Sequence, residues 1–346
     1  MFLFLKEDEL EPLLAEEFIE KWLKNDNGTL ATYMKETEAE DEDLVKGREA
    51  LSETLGMWME YTLRKGDAAL FEESYVLLQR YFLEKNGFVY WKLTEEGESE
   101  VAANALVDDL RIIHALLQAS EKWGESKYEE TAVLIGEFIA KSNQNQKVLT
   151  DFYDREYRYA TPVLTLSYIE PEALKEMVEC QVLDQEVYEN MIRILMEAKS
   201  DGGVFQKSYN IQNQKYSYDE QINMIDQALV ALYRTKSGFP TREFTKFIKE
   251  EMDKYEVVFG QYNRATREPS VKYESPAAYG WLILYSLEIG EAELAKNLFK
   301  EMNKFQQTNF KYKGGYSVYN ENTHIFDNIV PLLAERELRD RHLYIK

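Results

Sequence analysis

Cysteine, proline and histidine are scarce in this chain of 346 residues, which has one, seven and three of them. The lone Cys180 excludes an internal disulfide and leaves the redox compartment open. With so few prolines and no Gly/Ser-rich stretch, no linker divides the chain, and one domain over residues 1–346 is expected. The histidines, His114, His324 and His342, are scattered and, with one cysteine, make no metal-ligand pattern. No metal or other cofactor is therefore expected. Long apolar runs are missing as well. The opening "MFLFL" is too short for a membrane span or the core of a signal peptide. A secreted or envelope-attached protein whose leader lies outside this chain is expected, with a cytoplasmic one as the other reading.

Basic residues are the remaining deficit. Against 63 acids there are 41 bases, a net charge of −22. That charge argues against nucleic acid, whose binding depends on Lys and Arg neutralising phosphates. It disfavours anionic membranes for the same reason. A neutral or cationic partner fits better.

Aromatics and helical periodicity are abundant. The chain carries 24 Tyr, 17 Phe and 5 Trp, enough to fill a large core and also to line a cleft with flat faces. Apolar residues recur at helical spacing near 8–24, 50–65, 67–85, 98–122, 126–142, 171–180, 184–199, 218–236, 241–256, 276–289, 291–305 and 325–337. Short aromatic, strand-like segments separate pairs of these helices: "GFVYWKL" at 87, "FYDREYRY" at 152, "GGVFQKSYN" at 202, "VVFGQYN" at 257 and "FKYKGGYSVYN" at 310. They return roughly every 50 to 65 residues, the mark of a repeated helix–turn–helix unit. Six long units with rich loops favour a closed (α/α)6 barrel over an open solenoid. The expected fold class is thus all-α, with about twelve helices and the aromatic loops gathered at one end. Closure would bring the carboxylates of "ALSETLG", "LVDDLRI" and "YSYDEQI" to one mouth.

Two stretches carry the functional reading. In "ALSETLGMWM", Leu51, Leu55, Trp58 and Met59 give an apolar face, and Glu53 sits in the first turn. In "ALVDDLRIIHALLQASEKW", Asp108 and Asp109 precede a long apolar helix. Taken alone, such acids cap helices and favour the dipole.

The second stretch also resembles the signature of glycoside hydrolase family 8. Ala105, Asp109, Ile112, Ala115, Leu116, Leu117, Ala119 and Trp123 fall in register, while Leu106, Val107, Asp108 and Ile113 depart from it. Ser52-Glu53-Thr54-Leu55-Gly56 resembles the family's acidic helix start, which supplies the general acid. Trp91 stands where the family has a sugar-stacking Trp, Ser167 and Tyr168 match a Pro-Ser-Tyr segment, and Tyr218-Asp219 matches a Tyr-Asp pair. The resemblance spans about residues 50 to 235, and the C-terminal third follows only in helix rhythm.

The resemblance implies an (α/α)6 barrel and an inverting endo-glycosidase. Glu53 would be the general acid and Asp219 the general base. Asp109 would hydrogen-bond the sugar at the cleavage point, and Trp91, Tyr168 and Tyr218 would contact substrate. The family carries an Arg three residues after its base, where this chain has Ile222. A β-1,4-linked bacterial polysaccharide or exopolysaccharide is the expected substrate, with an amino-sugar polymer suited to the acidic charge. No nucleic acid, no membrane insertion and a monomeric state are expected. Two other classes stand beside this one: a catalytically weak polysaccharide-binding barrel and an intracellular helical interaction scaffold.

Overall fold

The computed structural model describes residues 11–36 and 45–344. Among them are twelve α-helices: α1 (Leu14–Trp22), α2 (Ser52–Lys65), α3 (Ala68–Leu77), α4 (Leu106–Trp123), α5 (Ser126–Ser142), α6 (Pro171–Glu179), α7 (Gln185–Glu197), α8 (Met224–Lys236), α9 (Arg242–Tyr255), α10 (Pro276–Glu288), α11 (Ala292–Met302) and α12 (Phe326–Asp340). The expected span of the first helix, 8–24, begins outside the described residues.

The even-numbered helices form a closed ring. α2 packs on α4, α4 on α6, α6 on α8, α8 on α10, α10 on α12, and α12 returns to α2. Burial shows why these six are inside. In α10 every residue from Pro276 to Leu287 is buried, so the helix is wrapped on all sides. In α9 only Phe244, Phe247, Ile248 and Glu251 are buried, one stripe at helical spacing. The contrast is sharpest in this pair; the short inner helix α6 buries a stripe of Pro171, Ala173, Leu174 and Met177. Gly280 lets α10 and α12 cross closely: a Cβ there would lie 2.9 Å from the Val330 carbonyl oxygen. α2 ends where Gly66 takes a left-handed conformation (φ 77°).

Three of the expected helices start or end differently. The helix expected at 98–122 begins at Leu106, because Ala103 bridges Asp154 in extended backbone before it. The helix expected at 67–85 changes after Leu77 to a wider π turn over Leu78–Phe82. The helix expected at 218–236 begins only at Met224. Residues Gln221–Asn223 pair antiparallel with Gln261–Asn263, which buries Ile222 opposite Tyr262. Asn223 then caps α8, its side chain accepting from the Ile225 N–H at 2.9 Å. Tertiary strand pairing therefore overrides a helical pattern, and Asp219 lies in the loop before the strand.

The short ladders lie at the end of the barrel where the inner helices begin. Ala50–Leu51 pairs with Lys92–Leu93 and runs straight into α2. Ser208–Asn210 pairs on one side with Val163–Thr165 and on the other with Lys215–Ser217. These ladders hold the aromatic segments in place around the mouth.

Candidate active site

First-turn acids mark several inner helices: Glu53 in α2, Asp108 and Asp109 in α4, Asp226 in α8 and Asp327 in α12. Unpaired N–H groups and the helix dipole favour carboxylates there. Because the helices converge, each carboxylate also meets its neighbours.

Glu53 occupies the second position of α2. The Ser52 N–H donates to the Trp91 carbonyl at 3.0 Å, so the helix start is tied to the aromatic loop. A third of the Glu53 side chain remains exposed, yet protein surrounds the carboxyl closely. Burial pushes its pKa up to about 7, the Asp108 and Asp226 charges add to the rise, and the Arg111 guanidinium opposes it. Arg111 Nη1 lies 3.9 Å from Glu53 Oε1, beyond hydrogen-bond reach. The balance leaves Glu53 partly protonated at neutral pH, as a proton donor must be.

Asp108 and Asp109 have different surroundings. Asp108 Oδ2 accepts from Ser52 Oγ at 2.7 Å, and the Glu53 backbone N–H also reaches this carboxylate. Burial raises it to about 6 against the opposing pull of Arg111. Asp109 is 1% exposed. Its Oδ2 accepts from Asn104 Nδ2 at 2.6 Å, and Asn104 Oδ1 accepts from the Tyr153 N–H at 2.7 Å. Asp109 Oδ1 has no hydrogen-bond partner, and burial holds the group well above the usual carboxylate range. Asp109, expected from the signature register to contact sugar, is enclosed and engages Asn104 through one oxygen. Asp108 is the member of the pair that meets the Glu53 helix.

Facing them, Asp219 and Tyr168 are joined by Asp226, Lys207 and Asp151, which the sequence reading did not single out. Asp226 Oδ1 accepts from Ser167 Oγ at 2.8 Å, and its Oδ2 is ion-paired with Lys207. Lys207 Nζ also lies 3.5 Å from Asp219 Oδ2. Asp219 is half exposed and Asp226 only 19%. Asp151 accepts from the Thr165 N–H at 2.6 Å and from Thr165 Oγ1 at 2.7 Å. Tyr168 is half-buried between the two sides. Its phenol is raised first by burial and then by Asp108, Asp151, Glu53 and Asp226, so all four acids lie around it. Asp226 becomes a first-turn acid only because α8 begins at Met224 and not at 218. Lys207 had no local signal, since its partners come from distant segments.

The expected aromatic contacts are distributed unevenly. Trp91 is half-buried beside the start of α2, with the Lys92 ammonium 5.3 Å from its ring centre. Tyr218 lies at the rim, where its ring is 5.0 Å from the Arg264 guanidinium and its hydroxyl donates to the Lys199 carbonyl at 3.3 Å. Further aromatic surface is exposed on the same loops, at Phe152, Tyr157, Tyr159, Tyr273, Phe310 and Tyr319. Among the described residues no group of three or more His, Cys, Asp or Glu side chains could hold a metal ion.

A barrel mouth with a raised carboxyl, facing acids and aromatic loops is what carbohydrate cleavage requires. A sequence model described as "Glycosyl hydrolases family 8" matches residues 40–228, more than half of the chain. The chain belongs to glycosyl hydrolase family 8. It is a glycoside hydrolase, and the six-hairpin ring is the (α/α)6 barrel of that family.

Relatives of this family 8 chain include the Bacillus subtilis (strain 168) protein named "Putative lipoprotein YdaJ". The two are 36% identical over 332 residues, 95% of this chain and 88% of that protein. Among solved structures, a novel alpha-amylase from Clostridium perfringens is 26% identical with a TM-score of 0.84, over 97% of this chain and 99% of that one. PssZ from Listeria monocytogenes is 25% identical with a TM-score of 0.77, over 94% of this chain and 96% of that one. Among the described residues no helix is long and apolar enough to cross a membrane.

Proposed function

We propose that this chain is an inverting endo-glycosidase, with Glu53 as general acid and Asp219 as general base. The observation that carries the reading is Glu53 itself, a carboxyl raised to about 7 in the first turn of an inner helix, with acids across the mouth. A general acid protonates the leaving oxygen, and a carboxylate on the other side of the scissile bond activates water. Inversion leaves room for that water, with carboxyls about 6.5–9.5 Å apart.

Asp219 suits the second role better than Asp226 does. Asp226 has both oxygens engaged, by Ser167 and by Lys207. Asp219 is half exposed and meets Lys207 through Oδ2, so it can take a proton from water. Asp108 and Tyr168 line the space between acid and base, Trp91 offers a flat face beside the acid, and Tyr218 contacts substrate at the rim.

The substrate of this reading is a β-1,4-linked bacterial polysaccharide or exopolysaccharide. A chain of net charge −22 with acids around its cleft suits a partly deacetylated amino-sugar polymer. The protein works as a monomer, outside the cell or attached to the envelope, and the name of the YdaJ relative supports attachment. No metal takes part, so activity survives a chelator.

A glycan panel with product analysis tests this. It includes β-1,4-glucan, chitosan, xylan and an α-glucan, the last because of the amylase neighbour. The reading expects internal cleavage of a β-linked polymer and release of the opposite anomer. Cleavage of the α-glucan alone, or products of retained configuration, would overturn it.

A further inference from the structure

The signature register places Ile222 where the family carries an arginine, and the structure shows that position to be unusable for a charge. Ile222 is buried in a strand opposite Tyr262. A cation is nonetheless present at Asp219, and it arrives from another segment. Lys207 Nζ stands 3.5 Å from Asp219 Oδ2 and is ion-paired with Asp226 Oδ2.

The backbone of Lys207 is held from two sides. Its N–H donates to the Ser217 carbonyl at 2.8 Å, and its carbonyl accepts from the Leu166 N–H at 2.8 Å. It thus sits between the 163–165 and 215–217 strands, at the edge of the central strand of that sheet. Asp226 is in turn fixed by Ser167, which lies in the turn leading to α6. The result is a chain of contacts, Ser167 to Asp226 to Lys207 to Asp219, that crosses the mouth from a buried end to an exposed one.

We propose that Lys207 is the positioning residue for the water-activating carboxylate, clamped by Asp226 and presenting its ammonium to Asp219 in place of the absent arginine. This rests on the reading of Asp219 as base. A lysine is a compact point charge and not a planar fork, so it steers one oxygen of Asp219 and leaves the other to water. Three carboxylates face the ammonium: Asp226 from α8, Asp219 from the loop before the 221–223 strand, and Asp151 through space from the loop before the 163–165 strand. Asp151 is already satisfied by Thr165. Asp219 is the exposed one, and therefore the one whose orientation most needs the ion pair.

The test uses the full chain, on the glycan that the wild type cuts, with K207M, K207R, D226N and D219N. K207M should lose kcat by about 10- to 100-fold, a part of the ~10²–10⁴-fold that a positioned acid–base group contributes, with KM little changed. The ascending limb of its pH–kcat/KM profile should move to higher pH, since a base stripped of its cation holds its proton more tightly. K207R should restore most of the activity, and D226N, which leaves the ammonium in place but unclamped, should show a smaller loss. Circular dichroism and melting identify a variant that has merely unfolded, and K207R then decides.

An unmoved limb in folded K207M, or K207R as poor as K207M, overturns the role of Lys207. If D219N is inactive in that case, the reading of Asp219 stands without it. If D219N keeps wild-type turnover, Asp219 is not the base and the inference falls with that reading.

Discussion

Glu53 and Glu60 lie on the same helix, two turns apart, and their carboxyls behave oppositely. Glu53 is raised to about 7. Glu60 is held below the usual range: burial pushes it up, but Arg64, Arg111, Lys236 and His114 outweigh that push. The pair stands for the two ends of the barrel. At the mouth, where inner helices begin, first-turn acids crowd together with Arg111 and Lys207 among them. At the opposite end a cavity of about 260 Å³ is lined by acids and bases together, including Glu60, Arg64, His114, Glu172, Lys236 and Glu337. There Arg64 bridges Glu60 and Glu337, Lys236 pairs with Glu172, and Arg341 with Glu337.

The difference follows from helix polarity. Helix starts favour carboxylates and helix ends favour cations: Glu53, Asp108 and Asp226 stand at the starts of their helices and Arg64 and Lys236 in last turns, while Glu172, in the first turn of α6, is drawn to Lys236. At the mouth burial raises Glu53 and Asp108, and neighbouring acids add to the rise at Glu53. Acids that meet bases stay ionised and hold the barrel closed.

The sharpest way to break this comparison is to neutralise both acids in turn. E53Q should lower turnover by ~10²–10⁴-fold while binding survives. E60Q should leave turnover within a few-fold of wild type and lower the melting temperature. Equal losses of activity in both would erase the distinction.

Next in size is the effect of removing a like charge. D108N takes away a neighbour that raises Glu53, so the descending limb of the pH profile should move to lower pH with a smaller activity loss than E53Q. A limb that stays put would show that Asp108 does not act on Glu53.

Smaller effects belong to stability at the closed end. R64M removes a cation shared by Glu60 and Glu337 and should cost about 1–3 kcal/mol, read by denaturant unfolding, with an unchanged pH–activity profile. His114 tests the same end by pH. Burial lowers its pKa, but the hydrogen bond to Glu176 at 2.8 Å and the charges of Glu170 and Glu60 bring it up to about 9. A raised histidine contributes stability that is complete below its unfolded value of about 6.5 and lost as pH rises through about 9. The wild type should therefore lose stability across that window, and H114Q should lose less of it.

Much of this architecture could be read from residues alone, and the reason is periodicity. Twelve helical segments at a recurring spacing imply paired helices, and aromatic loops of one kind imply a common end. Glu53 was singled out by the resemblance of Ser52-Glu53-Thr54-Leu55-Gly56 to the family's acidic helix start, which is a local feature. The boundaries that shifted did so for non-local reasons: Gln221–Asn223 became a strand because Gln261–Asn263 pairs with it. Register does not tell which of two adjacent acids faces the groove, and Asn104, five residues away, engages Asp109. Lys207 and Asp226 were missed because their meaning is a contact between segments 19 residues apart, completed by Ser167 at a separation of 59.

Glu53 also carries a cost that the comparison predicts. An acid raised from its unfolded value of 4.5 to about 7 destabilises the fold as pH rises through that window, since the native state holds the proton more tightly. E53Q should therefore gain melting temperature relative to wild type above pH 7 and not below 4.5.

The most direct test of the account is the pH dependence of kcat/KM for the wild type and E53Q, on the polysaccharide the wild type cleaves. The wild type should show a descending limb with an apparent pKa near 7, since a general acid works only while protonated. The residual activity of E53Q should lack that limb. A limb near 7 that persists in E53Q, or E53Q turnover near wild type, would contradict the assignment of Glu53 as the acid.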